Sequence, residues 1–175
     1  MQIRVTEELI RSHLYKLCAL QTAGYRTQFV NESLEGELDM VIALDIDANK
    51  LIGGVADKLK KMGIEKPAFV GLVKTGSHAE RLPDQADFWF IRCASVLRQA
   101  YVRNVIGTNR LRRHYGGRKN NGVQPEHNAP AGGSTIRKAM QALEKHGLLV
   151  KKNPGRSLSA KGRKLLDSVA KELSG

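Results

Sequence analysis

Residues 87–103 read DFWFIRCASVLRQAYVR, the longest helical pattern in the chain. Phe90, Ala94, Leu97 and Tyr101 form one apolar stripe, and Trp89, Cys93, Val96 and Ala100 the stripe beside it. Two adjoining stripes at a period of 3.6 predict a central helix touched by several neighbours, opened by Asp87 as N-cap. At about 100° per residue, Arg92, Ser95, Gln99 and Arg103 share the remaining side, with Arg98 at its border. A buried helix with an arginine edge either binds groups inside the protein or presents that edge to a ligand.

On the C-terminal side, Gly107 and Thr108 break the pattern before a short helix over about 109–115, with Leu111 inward and Arg110, Arg112 and Arg113 mostly outward. Next comes YGGRKNNGVQPEH, residues 115–127, a long basic loop expected to grip phosphate. Gly116, Gly117 and Gly122 permit positive φ and close approach, while Arg118 and Lys119 supply charge-assisted donors. Ser134 or Gly133 then caps a helix carrying Ile136, Ala139, Met140 and Leu143 inward and Arg137, Lys138 and Gln141 off that stripe. Leu148–Val150, a turn at Asn153–Gly155 and Arg156–Leu158 predict a β-hairpin. Ser159 caps a last helix with Leu165, Leu166, Val169 and Leu173 inward.

On the N-terminal side, Asp47 caps a helix with Leu51, Ile52, Val55 and Leu59 at helical spacing and Gly63 beyond its basic end. Pro67 is expected to start a short helix through Phe69, Val70 and Val73, before a polar run that brings Lys74, His78 and Arg81 together. The order helix, short helix, helix, β-hairpin predicts a mainly α, winged-helix-like domain. An ordinary helix-turn-helix joins its second and third helices through a few residues. Here about seventeen intervene, basic and glycine-rich, which obstructs insertion into a DNA major groove and suits an irregular RNA surface.

Composition points the same way. Among 175 residues, 29 Lys and Arg face 17 Asp and Glu, a net charge of +12 that calls for a polyanionic partner. The charge is uneven: residues 1–39 carry −2 and residues 40–175 carry +14. The first part, with a helix capped by Thr6, is expected to be an N-terminal extension, or sequence upstream of a true initiator at Met40. No run of about 18 apolar residues or signal-peptide pattern is present, and Trp89 belongs to a core stripe, so membrane binding is not expected. Cys18 and Cys93 read as separate buried thiols rather than a disulfide or zinc ligands. His13, His78, His114, His127 and His146 lack metal-ligand spacing, and no G-x-S-x-G or P-loop occurs, which excludes the common catalytic motifs. No metal, cofactor or small-molecule substrate is expected. The rival class is a winged-helix DNA-binding transcriptional regulator, for which residues 1–39 would be the only candidate dimerisation element.

VKTG at 73–76, FIRCASVLRQAY at 90–101, LRRHYGGRKNNGVQPEH at 111–127 and IRKAMQALEKHGLL at 136–149 together resemble the archaeal and eukaryotic small-subunit ribosomal protein of the e-type numbered nineteen. The likeness covers about residues 40–175, and the L-R-x-x-Y wording is similar to archaeal members. It implies a winged-helix-type fold in the head of the small subunit, rRNA and neighbouring head proteins as partners, a cytoplasmic ribosome-bound location, and a part in assembly and rRNA maturation. By motif match it implies RNA contacts at Arg92, Arg98, Arg110, Arg118, Lys119, His127, Arg137 and Lys138. Residue chemistry adds Lys74, His78, Arg112, Arg113, Gly116, Gly117 and Arg156 to the expected RNA-binding set. Three positions depart from the family's usual wording: Phe88-Trp89 for two aromatics often both Trp, Asn128-Ala129-Pro130 where aromatic and basic residues usually follow His127, and Ser159-Ala160 for Thr-Pro. Deleting residues 1–39 is expected to leave RNA affinity, read by filter binding, unaltered; a large loss would assign the extension to the binding unit.

Overall fold

The computed structural model describes residues 41–174. Five helices and five short strands follow one another in the order α1 (Ala48–Lys61), α2 (Phe88–Arg103), β1 (Val105–Ile106), α3 (Thr108–His114), β2 (Gly117–Asn121), β3 (Gln124–Ala129), α4 (Gly133–Lys145), β4 (Leu149–Lys151), β5 (Arg156–Leu158) and α5 (Ala160–Ser174). The expected helix at Thr6 and the Cys18 thiol lie outside the described residues.

Both stripes of α2 are used. Trp89, Cys93, Ala94, Val96, Leu97 and Ala100 are all fully buried, and α2 packs against α1, α4, β5 and α5. Burial pushes the Cys93 thiol up to about 12, so it is an inert core group rather than a nucleophile. Phe69 meets Trp89 edge to face at 6.5 Å between centroids, closing the core over the start of α2. α1 adds Leu51, Val55 and Leu59, α4 adds Ile136, Ala139, Met140 and Leu143, and α5 adds Leu166 and Val169, all buried. Leu173, expected inward, is 44 % exposed because it sits in the last turn of α5, beyond the buried stretch.

The wing is a three-stranded antiparallel sheet in the order β1-β5-β4, one strand larger than the expected hairpin. Val105 pairs with Ser157 and Ile106 with Arg156, so the segment leaving α2 becomes the outer strand. Gly155 in the turn has φ +97, and a Cβ there would lie 2.5 Å from the Ile106 carbonyl oxygen, so only glycine fits.

Three local expectations change. The segment from Pro67 contains no helix; it runs through consecutive turns with an isolated bridge between Val70 and Val73. Gly71 at φ +97 terminates helical geometry before a turn of α-helix can close. The long basic loop is instead a two-stranded antiparallel ribbon, pairing Gly117 with Ala129, Arg118 with Asn128 and Lys119 with His127. Its turn is Gly122–Val123: the side-chain oxygen of Asn120, in β2, accepts from Gly122 N at 2.8 Å, and Gly122 takes φ +70. Gly132, rather than Ser134 or Gly133, is the N-cap of α4, and no side chain caps that helix.

Other caps are as read from sequence. Asp47 accepts from Lys50 N at 3.3 Å. Asp87 stands at the N-cap of α2 without a capping hydrogen bond; its carboxylate takes Lys60 Nζ at 2.9 Å instead. Ser159 Oγ accepts from Gly162 N at 3.0 Å and donates to Gly147 O at 2.7 Å, tying α5 to the end of α4. Ser159→Ala is therefore expected to lower stability by about 1 kcal/mol, whereas Ser134→Ala changes it by less than about 0.5 kcal/mol. Paired urea denaturation curves would check both.

Candidate nucleic-acid interface

The polar side of α2 lies against the end of α3. Ser95 Oγ and Tyr115 Oη are hydrogen-bonded at 2.9 Å. The Arg92 guanidinium lies 4.2 Å from the centre of the Tyr115 ring and 5.1 Å from that of Phe88, a cation held between two aromatic faces. Burial draws the Arg92 pKa below its ordinary value while Tyr115 acts in the opposite direction, and the side chain stays cationic. Burial likewise raises the Tyr115 phenol, which remains a neutral hydrogen-bonding group. One turn before the end of α2, Arg98 is half-buried, and its Nε has no hydrogen-bond partner among the described residues. At the end of the helix Arg103 reaches His114 Nδ1 at 3.3 Å.

From Tyr115 the chain passes directly into the ribbon. Gly116 and Gly117 serve close packing rather than positive φ: a Cβ on Gly116 would lie 2.6 Å from Ala129 O, and one on Gly117 would lie 3.0 Å from the His78 ring. His78 is thus seated at the ribbon base, its Nδ1 buried without a partner among the described residues. The base is fastened by Arg112, whose Nε donates to Ala131 O at 3.1 Å and whose own carbonyl accepts from Ala131 N at 3.0 Å. Gly132 N donates to Thr75 O at 2.7 Å, and Gly76 forms a bridge with Ala131. The 74–78 segment, α3 and the ribbon are joined at this point.

The structure therefore brings His78, Arg92, Arg112, Gly116 and Gly117 together, with Arg98 on the same helix as Arg92. Lys74 is exposed on the segment leading to that base, and Arg110 and Arg113 are exposed on α3. Arg118, Lys119 and His127 are exposed along the ribbon, with Arg118 ion-paired to Glu126 on the opposite strand. Pairs of this exposure are worth little, so Arg118 can exchange Glu126 for another anion. Arg137 and Lys138 are exposed on α4; Lys138 also borders a concavity of about 800 Å³ whose lining includes Phe69 and Trp89. Arg156 stands apart from the rest. It is half-buried on the wing, with Nε and the Nη2 nitrogen on the two oxygens of Glu144 at 2.5 and 3.3 Å. Among the described residues no group of three or more His, Cys, Asp or Glu could hold a metal ion, and no helix is long and apolar enough to cross a membrane.

Sequence reasoning left Arg103 and His114 out of the candidate set. Arg103 was legible on the face shared by Arg92, Ser95 and Gln99. Nothing local marked His114, since its neighbourhood is made by α2 folding back beside α3.

The sequence profile of the family described as ribosomal protein S19e matches residues 42–175. The chain belongs to the ribosomal protein S19e family. The small ribosomal subunit protein eS19 of Aeropyrum pernix is 46 % identical over 138 residues, covering 77 % of this chain and 90 % of that protein. Two eukaryotic relatives, eS19A of Schizosaccharomyces pombe and eS19A of Drosophila melanogaster, are 40 % and 42 % identical over 131 and 136 residues. They cover 74 % and 76 % of this chain and 91 % and 86 % of their own lengths. The S19e family is one of structural ribosomal proteins and is not known as an enzyme class.

Arg98 and Arg156 allow a contrast. Arg98→Met keeps the packed stem and removes a charge that the described protein does not pair, so it should leave the urea midpoint nearly unchanged while weakening RNA binding about tenfold. Arg156→Ala strands Glu144 and should cost roughly 1.5 to 3 kcal/mol of stability with RNA affinity unaltered. Denaturation and filter binding on both variants would separate the two roles.

Proposed function

We propose that this protein is a structural, non-catalytic constituent of the small ribosomal subunit that binds small-subunit rRNA, sits in the head beside other head proteins, and takes part in subunit assembly and rRNA maturation. Family membership makes it a ribosome-associated, cytoplasmic protein, and the relatives it matches are small-subunit proteins by name. The observation that carries the rRNA contact is the cationic surface assembled from α2, α3 and the ribbon base. There Arg92 is fixed by two rings, and Arg98 Nε has no hydrogen-bond partner among the described residues.

Fixed arginines suit phosphate because the guanidinium fork is preorganised for two acceptor oxygens, and less conformational freedom is lost on binding than for a lysine on a free stem. The ribbon favours RNA over duplex DNA. It separates α3 from α4 and carries exposed Arg118, Lys119 and His127, a surface for backbone and shape rather than for major-groove edges.

If five to eight phosphates are engaged, log K should fall with log salt at a slope of roughly −4 to −7. Arg118→Ala should flatten that slope by about one unit, and an unchanged slope would remove the ribbon from the binding face. Mass spectrometry of native small subunits should find the chain in the particle; recovery on DNA instead would favour the regulator.

A further inference from the structure

Arg103 at the end of α2 and Arg110, Arg113 and His114 on α3 enclose a notch of about 530 Å³, with Asn109 on its wall. Among the described residues no carboxylate lines it, and none of their five ion pairs touches it. The C-terminal ends of α2 and α3 attract cations through their dipoles, which accounts for a cation at each helix end. It does not account for three guanidiniums and an imidazole around one space.

Two of the donors are already oriented. Arg110 donates to Val105 O at 3.3 Å, which steadies its fork. Arg103 can only donate, so at 3.3 Å His114 Nδ1 must be the acceptor and the ring proton sits on Nε2. The groups facing His114 are Arg92, Arg98 and Arg103 from α2, Arg110 and Arg113 from its own helix, and the Tyr115 ring at 4.9 Å. All the charged ones are positive. Burial first, then Arg103, Arg92 and Arg98, lowers the His114 pKa from 6.5, so the imidazole is neutral at pH 7 in the free protein.

We propose that this notch is a phosphate site that takes one phosphodiester group of RNA and takes up a proton on His114 Nδ1 as it does so. The inference rests on the RNA reading given above. A phosphate brings two anionic oxygens and cancels the positive field that keeps His114 neutral. The proton comes from solvent; once on Nδ1 it ends the hydrogen bond from Arg103, and both groups become donors to the phosphate oxygens. Because the complex binds more protons than the free protein, affinity strengthens as pH falls through the lowered pKa of the free protein and the higher one of the complex. Arg113, exposed and with no side-chain hydrogen bond to the described residues, supplies a further donor at the rim.

The test is an NMR titration of the histidine ring signals of the full chain between pH 5 and 8, with His114 assigned through His114→Gln. It is run without ligand, with a short RNA hairpin of mixed sequence, and with inorganic phosphate at the same phosphate concentration; anisotropy of labelled RNA reports binding separately. RNA should raise the His114 midpoint by about one pH unit, a tenfold change in proton affinity, and inorganic phosphate should leave it in place. Arg113→Gln should weaken RNA binding and, read at RNA concentrations that saturate the variant, shrink the rise. RNA bound with the midpoint unmoved would overturn the notch and spare the RNA reading. An equal rise with inorganic phosphate would make the site one for free anions and overturn its assignment to RNA. No binding of RNA at any pH would overturn the reading and the notch with it.

Discussion

The contact between the polar edge of α2 and Tyr115 governs the arrangement of everything that follows it in the chain. Ser95 holds the phenol, Arg92 covers the ring, and Arg103 meets the neighbouring His114. These three contacts fix the end of α3 on the one side of α2 not already occupied by apolar neighbours. Since the ribbon leaves directly from Tyr115, its base is fixed by the same contact. The side of α2 that a core argument would count as leftover is what places the arginines and the ribbon relative to one another.

A cation seated on an aromatic face is well suited to this position. A carboxylate partner would neutralise Arg92, whereas the rings of Phe88 and Tyr115 hold it by their quadrupoles and leave its charge uncancelled. The protein thereby keeps a partly buried guanidinium both rigid and positive. Arg156 shows the opposite solution: Glu144 holds it by two oxygens and cancels it, which ties the wing to α4.

Much of this was legible in the sequence because it rests on helical periodicity. The two stripes of α2, the caps at Asp47 and Ser159 and the wing all follow from spacing and turn chemistry. The ribbon was missed for a physical reason. GRKNN and QPEHNA are almost wholly solvent-exposed, so no apolar alternation marks them as strands, although Asn121-Gly122 is a strong hairpin signal. The Pro67 segment misled in the other direction, since Phe69 closes over Trp89 from a chain of turns while Leu72 and Val73 stay exposed. Of the site, the arginine edge could be read from one helix. The seat of His78 under Gly117 and the company of His114 depend on distant segments meeting, which no local pattern carries.

A two-stranded ribbon that is solvent-exposed along most of its length among the described residues offers two open edges to any extended chain nearby. This one is poorly suited to accept them. Pro125 removes a donor from one strand, Arg118, Lys119 and Glu126 place charge on both, and a register shift between Lys119 and Asn121 breaks the flat surface that a third strand requires. The side chains that suit the ribbon to a polyanion therefore also guard newly made, unassembled copies against joining edge to edge into aggregates.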